Sequence, residues 1–237
     1  MPARKRLKMH EELLLLALDD RKGTTGMSAW HTTAMAGAVL AELALLGAVR
    51  IGTDKKKLVD AEPGFQVDDP LLSECLRLVQ TAKRRKKASD WVLKFSGLKD
   101  LQKRVARGLV TEGVLNEETD KVLGLFTRRK YPARDGGPEL ELIERLREAV
   151  LTDTDRVEPR TMVVAVIAQA TELLPRAIDK KLLKTRKARL KQLAEGQVAG
   201  SMAAGAAREA VAAARAAQAA VMAAVVASTV ATTAATS

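Results

Sequence analysis

The sequence predicts a mainly α fold. Alanine and leucine carry most of an apolar content of 47%, whereas aromatic residues make up only 3%, a balance that favours helix over strand. Long segments of helix-forming residues recur along the 237-residue chain. The strand-like runs, in contrast, are short and flank turn signals. No clean linker divides the sequence. We therefore expect one helical domain over residues 11–195, preceded by a basic tail (1–10) and followed by an alanine-rich helix or tail (196–237).

The first element is a leucine run, Glu11 to Gly23, with acids in front and Asp19-Asp20-Arg21-Lys22-Gly23 behind. It reads as a short buried helix closed by a glycine C-cap. Ala29–Leu46 is a helix rich in small residues. Val49–Ile51 and Lys57–Val59 form a hairpin signal around Gly52-Thr53-Asp54, and Pro63-Gly64 breaks the chain again. Asp69-Pro70 opens a helix over Leu71–Ala82, with Pro70 suited to the first helical position. The basic run Lys83–Lys87 interrupts or extends it, and Trp91–Phe95 is a further apolar turn.

Leu98–Glu112 is the next helix, ending at Gly113. Val114-Leu115 and Val122–Thr127 then suggest a hairpin that leads into a basic loop, Arg128-Arg129-Lys130. Glu139–Leu151 is strongly amphipathic. Thr161–Leu174 is apolar nearly all round and should run through the core, whereas Ile178–Ala194 is a basic helix. Beyond Gly196 the chain is low in complexity and permits helix without strongly specifying it.

The chemistry for catalysis is sparse. There is no phosphate-binding glycine loop, nucleophile elbow or metalloprotease helix, and histidine is represented only by His10 and His31. Paired acids such as Asp19/Asp20 and Glu117/Glu118 suit helix ends and solvated loops. We expect no enzyme and no cofactor. Cys75 is the only cysteine, which rules out an internal disulfide and points to a reducing compartment. Two histidines and one cysteine fall short of an ordinary structural zinc set, so no metal site is expected. The formal charge of +11 predicts attraction to polyanions, either an anionic membrane or nucleic acid. The first ten residues lack the apolar stretch of a secretory signal. The uncharged segment Ala216–Ser237 is long enough to span a bilayer but too poor in lipophilic residues to favour doing so.

Several segments, in this order and spacing, resemble the GPP34 (Golgi phosphoprotein 3-like) family. They are Glu11–Gly23, Ala41-Glu42-Leu43-Ala44-Leu45, Asp69-Pro70-Leu71-Leu72 and Arg104–Val110 through Leu115. The Leu125–Pro132 hairpin, Leu146–Leu151 and the apolar helix after Arg160 complete the set. The resemblance implies a helical domain around a four-helix core, with a β-hairpin that reaches a membrane interface. Eukaryotic members bind phosphatidylinositol 4-phosphate at the Golgi and hold glycosyltransferases there by their cytosolic tails. Their lipid pocket uses a Trp and an Arg before the Ala-Glu-Leu-Ala-Leu helix, and two Arg three apart on a later helix. Here Trp30 lies in the corresponding loop, about three residues closer to Glu42. The first Arg position falls on Ala36, and the later pair falls on Lys99 and Gln102. Lys does not replace Arg at a phosphate clamp, so contact with anionic lipid of lower selectivity fits these residues better.

The expected lipid-binding residues are accordingly Trp30, Lys99, Arg128, Arg129 and Lys130, with Leu125, Phe126, Tyr131 and Pro132 entering the interface. The implied partners are an anionic phospholipid membrane, cytosolic tails of membrane proteins and, through the small-residue tail, a second copy of the chain. The implied location is cytoplasmic and peripheral to a membrane, on the Golgi cytosolic face if the chain is eukaryotic. A different reading stays open. Leu98–Glu112 followed by a basic hairpin resembles the helix-plus-wing half of a winged helix, which would bind DNA, although no helix carries a clear base-reading face.

Overall fold

The first helix, α1 (Met9–Ala17), is buried along its whole length, and the remaining helices are arranged around it. From Leu13 to Ala17 it is apolar on every side, and such a segment is stable only when protein surrounds it. The computed structural model describes residues 6–18, 29–52, 54, 56–122, 126–197 and, in the C-terminal region, residues 212, 214, 215, 218 and 219. Around α1 pack α2 (Ala29–Leu45), α5 (Leu101–Thr111), α6 (Gly137–Leu151) and α7 (Pro159–Ala170). α3 (Pro70–Gln80) and α4 (Ala88–Ser96) cover the far side of α2. The fold is mainly helical, as the sequence predicts.

Five short strands complete the described fold. β1 (Val49–Ile51), β2 (Leu58–Ala61) and β3 (Lys86–Lys87) form an antiparallel sheet in that order. The expected first hairpin is present, and the Lys83–Lys87 run supplies a third strand that short-range pattern did not reveal. β4 (Glu118–Val122) and β5 (Phe126–Lys130) form a separate hairpin. At its root Leu115 bridges Ala133, and the Asn116 amide donates to the Pro132 carbonyl at 2.9 Å.

Several boundaries differ from the sequence reading, each for a local reason. α1 begins at Met9 and stops before Leu18, whose backbone is already extended, so Gly23 is not its cap. Trp91–Phe95 belongs to the full helix α4; both rings are buried, with centroids 5.7 Å apart. Thr161–Leu174 is not one helix: α7 ends at Ala170, Glu172 turns with φ +57°, and α8 (Leu174–Ala177) follows around Pro175, which cannot donate to a continuing ladder. The basic helix divides at Arg186 into α9 (Lys180–Thr185) and α10 (Lys187–Glu195). There the Arg186 guanidinium leaves the helix line to donate to the Val150 and Thr152 carbonyls at 2.8 and 2.9 Å. Leu7, Met9 and His10 are buried, as is Ala214, and Arg215 donates to the Ala194 carbonyl at 3.0 Å.

The N-terminal end of α1 is a buried charged hub. The exposed amides of a first helical turn need acceptors, and here two carboxylates supply them. Glu11 accepts the Lys8 amide at 2.8 Å, and Glu42 of α2 accepts the Met9 amide at 2.9 Å. Glu42 also holds both guanidinium nitrogens of Arg160 from α7, while Glu12 accepts from Arg145 of α6 at 2.6 Å. Burial raises the carboxyls of Glu11 and Glu12 against the pull of these partners, and it pushes the His10 imidazole down to about 4, so that it is neutral. α5 crosses α1 closely: a Cβ at Gly108 would lie 3.2 Å from Glu11 Oε1. Glu12 and Glu42 are therefore pins between helices, while Glu11 caps its own.

Candidate functional site

The exposed face of α5 carries a line of cations. Lys99 lies in the exposed turn before the helix. Lys103 and Arg107 follow four residues apart, hence on one helical face, and both are about half exposed. Leu101, Val105, Ala106 and Leu109 occupy the opposite, buried side. Arg129 of β5 extends the line across Glu117, which lies 3.3 Å from Arg129 Nε and 3.9 Å from Arg107 Nε.

The electrostatics of neighbouring groups follow the same grouping. The Asp100 carboxyl is held below its usual range, first by the 2.7 Å hydrogen bond from Lys103 and further by the charges of Lys99 and Arg107. Beneath the line, burial and Glu117 raise the Tyr131 phenol, while Arg129, Arg107 and Lys103 pull it down. Four cations thus share a surface with two acids, Asp100 and Glu117. That arrangement can attract phosphate groups. It has no geometry for proton transfer or nucleophilic attack.

The sequence-predicted residues are distributed over this surface unevenly. Lys99 and Arg129 lie on it. Lys130, the next residue of the strand, points to the other face of the hairpin because successive strand residues alternate, and its backbone pairs with Glu118. Arg128 pairs with Asp120 in the same register. The basic run is therefore part of a strand and not a loop at the tip. Tyr131 lies at the hairpin root and is only 8% exposed, so it belongs to the core, while Pro132 beside it is partly exposed. Phe126 pairs with Val122 next to the turn, and Leu125 lies outside the described residues.

Trp30 is in the first turn of α2. Two residues on, Thr32 Oγ1 accepts from Gln102 Nε2 at 2.5 Å. The start of α2 is thus joined to the beginning of α5, close in sequence to Lys99, and away from the hairpin at the other end of α5. Lys103 and Arg107 were missed by the sequence reading. Their i, i+4 spacing was visible, but only the packing of α5 shows that this face is the one left in solvent. The other basic run, Lys83–Lys87, is drawn into structure: Arg85 pairs with Asp60, and Lys86 joins Lys94 over the Trp91 ring, 5.4 and 5.3 Å from its centroid. Cys75 is fully buried and its thiol is pushed up to about 12, which leaves no reactive thiolate at neutral pH. Among the described residues no helix is long and apolar enough to cross a membrane.

Residues 9–214 match the family described as Golgi phosphoprotein 3 (GPP34). The sequence is also 29% identical, over 199 residues, to vacuolar protein sorting-associated protein 74 from Eremothecium gossypii. That alignment covers 76% of this chain and 56% of the relative, so the chain spans a little over half the length of the curated relative it matches.

Proposed function

This chain belongs to the GPP34 family, and we propose that it is a peripheral membrane protein whose α5 face and β4–β5 hairpin bind anionic phospholipid. The observation that carries the reading is the grouping of Lys99, Lys103, Arg107 and Arg129 with, among the described residues, Asp100 and Glu117. A basic residue near an anionic surface contributes about 1 kcal/mol. Four of them, partly offset by two acids, give weak and reversible attachment that salt weakens. The apolar contribution is assigned to Leu125 and Phe126, as the sequence suggests, with Tyr131 buried at the hairpin root.

The head group is of the phosphoinositide type that the family resemblance implies, recognised here with low selectivity. By the family resemblance Trp30 lies in the pocket loop about three residues closer to Glu42 than expected, Lys99 falls on one later Arg position, and Ala36 and Gln102 supply no charge at the others. Gln102 is instead engaged with Thr32. An adaptor role, holding cytosolic tails of membrane proteins at that surface, forms the second half of the reading. It draws support from the relative's name, which assigns that protein to protein sorting.

Vesicle co-sedimentation tests the lipid half. Neutral, phosphatidylserine-containing and phosphatidylinositol 4-phosphate-containing vesicles are compared at low and high salt. The reading predicts binding to both anionic types, release by salt and little preference between them. A strong preference for the phosphoinositide would restore the selective pocket. Failure to bind any vesicle, together with salt-sensitive binding to duplex DNA, would replace this reading with the winged-helix one.

A further inference from the structure

We propose that the N-terminal end of α1 is a metal site, in which His10, Glu11 and Asp69 together coordinate a divalent first-row transition ion such as Zn2+. A ring nitrogen of His10, a carboxylate oxygen of Glu11 and one of Asp69 lie within 4.8 Å of one another. His10 and Glu11 occupy the first turn of α1, and Asp69 is the N-cap of α3, fixed by the Leu72 amide at 2.8 Å. Zinc bonds to nitrogen and oxygen are about 2.0–2.2 Å. Closing the three ligands onto one ion therefore needs side-chain movements of roughly 1 Å.

Three features point to a cation here. The His10 side chain is 2% exposed, and its Nδ1 makes no hydrogen bond. Buried polar atoms without partners are rare, and an ion or water normally accounts for them. Acidic side chains also gather at this point: Glu11 and Asp69 lie 2.9 and 3.3 Å from Lys8 Nζ. Among the described residues, Arg104 is paired with Glu74 at 2.5 Å and Arg160 with Glu42. Finally, the cluster opens on a cavity of about 690 Å³ that gives an ion access and leaves room for a completing water.

The donor set decides the class of ion. One imidazole and two carboxylates suit zinc and its neighbours, whereas magnesium and calcium take all-oxygen sets. Lys8 is the competitor, since its ammonium already shares two of the proposed ligands. Metal entry swings that side chain into the cavity and joins α1 to α3. The site is independent of the lipid reading.

The test is a zinc titration of the untagged full chain by calorimetry, with Co2+ absorption as a second reading of coordination. The expected result is one equivalent bound, weakened at least tenfold by His10→Gln and by Asp69→Asn. His31→Gln should leave it unchanged, and Lys8→Met should retain or tighten it. Far-ultraviolet circular dichroism identifies any variant that does not fold, and Lys8→Met keeps every proposed ligand. Absence of zinc binding in both the native chain and Lys8→Met would overturn the proposal. So would zinc binding that His10→Gln leaves intact.

Discussion

The N-terminal end of α1 and the outer face of α5 are built from the same residue types and use them in opposite ways. At α1, Glu12 and Glu42 are almost fully buried, and each faces an arginine from another helix. At α5, Lys103, Arg107 and Arg129 are about half exposed, and their acidic neighbours are outnumbered. Removing one partner of a buried pair strands the other charge in a poor solvent. A surface pair contributes about 0–1 kcal/mol and can be lost with little consequence. Burial thus decides whether a charge holds the fold together or remains available to a partner.

The hub should be the more fragile region. Glu42→Ala leaves the Arg160 guanidinium and the Met9 amide without their acceptor. It is expected to cost about 3–5 kcal/mol, read as a fall in the urea midpoint. Leu13 lies in the same helix with no exposed surface, and Leu13→Ala should cost about 2–5 kcal/mol through the cavity it leaves. A loss near zero for either would mean that α1 is not the central helix.

A smaller effect comes from Cys75. Its thiol ordinarily titrates near 9.0 and is pushed up to about 12 by burial. Above pH 9 the unfolded chain releases this proton while the native chain keeps it, so stability falls as pH rises from 9 towards 12. The slope approaches about 1.4 kcal/mol per pH unit, and Cys75→Ala or Cys75→Ser should flatten that part of the stability profile. At pH 8 a thiol reagent should react with Cys75 only as fast as the protein opens.

The fold was more legible than the surface. The leucine run, Asp69-Pro70 and the amphipathic Glu139–Leu151 segment each announced a helix, because apolar spacing and caps are local signals. The third strand was not legible, since the two residues Lys86-Lys87 become a strand only by pairing with β2. The break at Arg186 depends on carbonyls more than thirty residues away. For the site, Lys99 and Arg129 were visible as charges, whereas Lys103 and Arg107 needed the packing of α5 to show which of its faces is free. Tyr131 looked like an interface residue because an aromatic beside a basic run reads the same whether it points outward or into a core.

The smallest change in stability should come from neutralising the surface. Lys103→Gln, Arg107→Gln and Arg129→Gln combined should alter unfolding free energy by well under about 1 kcal/mol in total, because exposed pairs contribute so little. The same triple variant gives the most direct measurement of the account's central claim, namely its partitioning onto phosphatidylserine-containing vesicles at low salt beside the unaltered chain. At about 1 kcal/mol per lost cation the affinity should fall roughly a hundredfold while the urea midpoint stays in place. Undiminished binding by the stable variant would contradict the assignment of the α5 face as the lipid-binding surface.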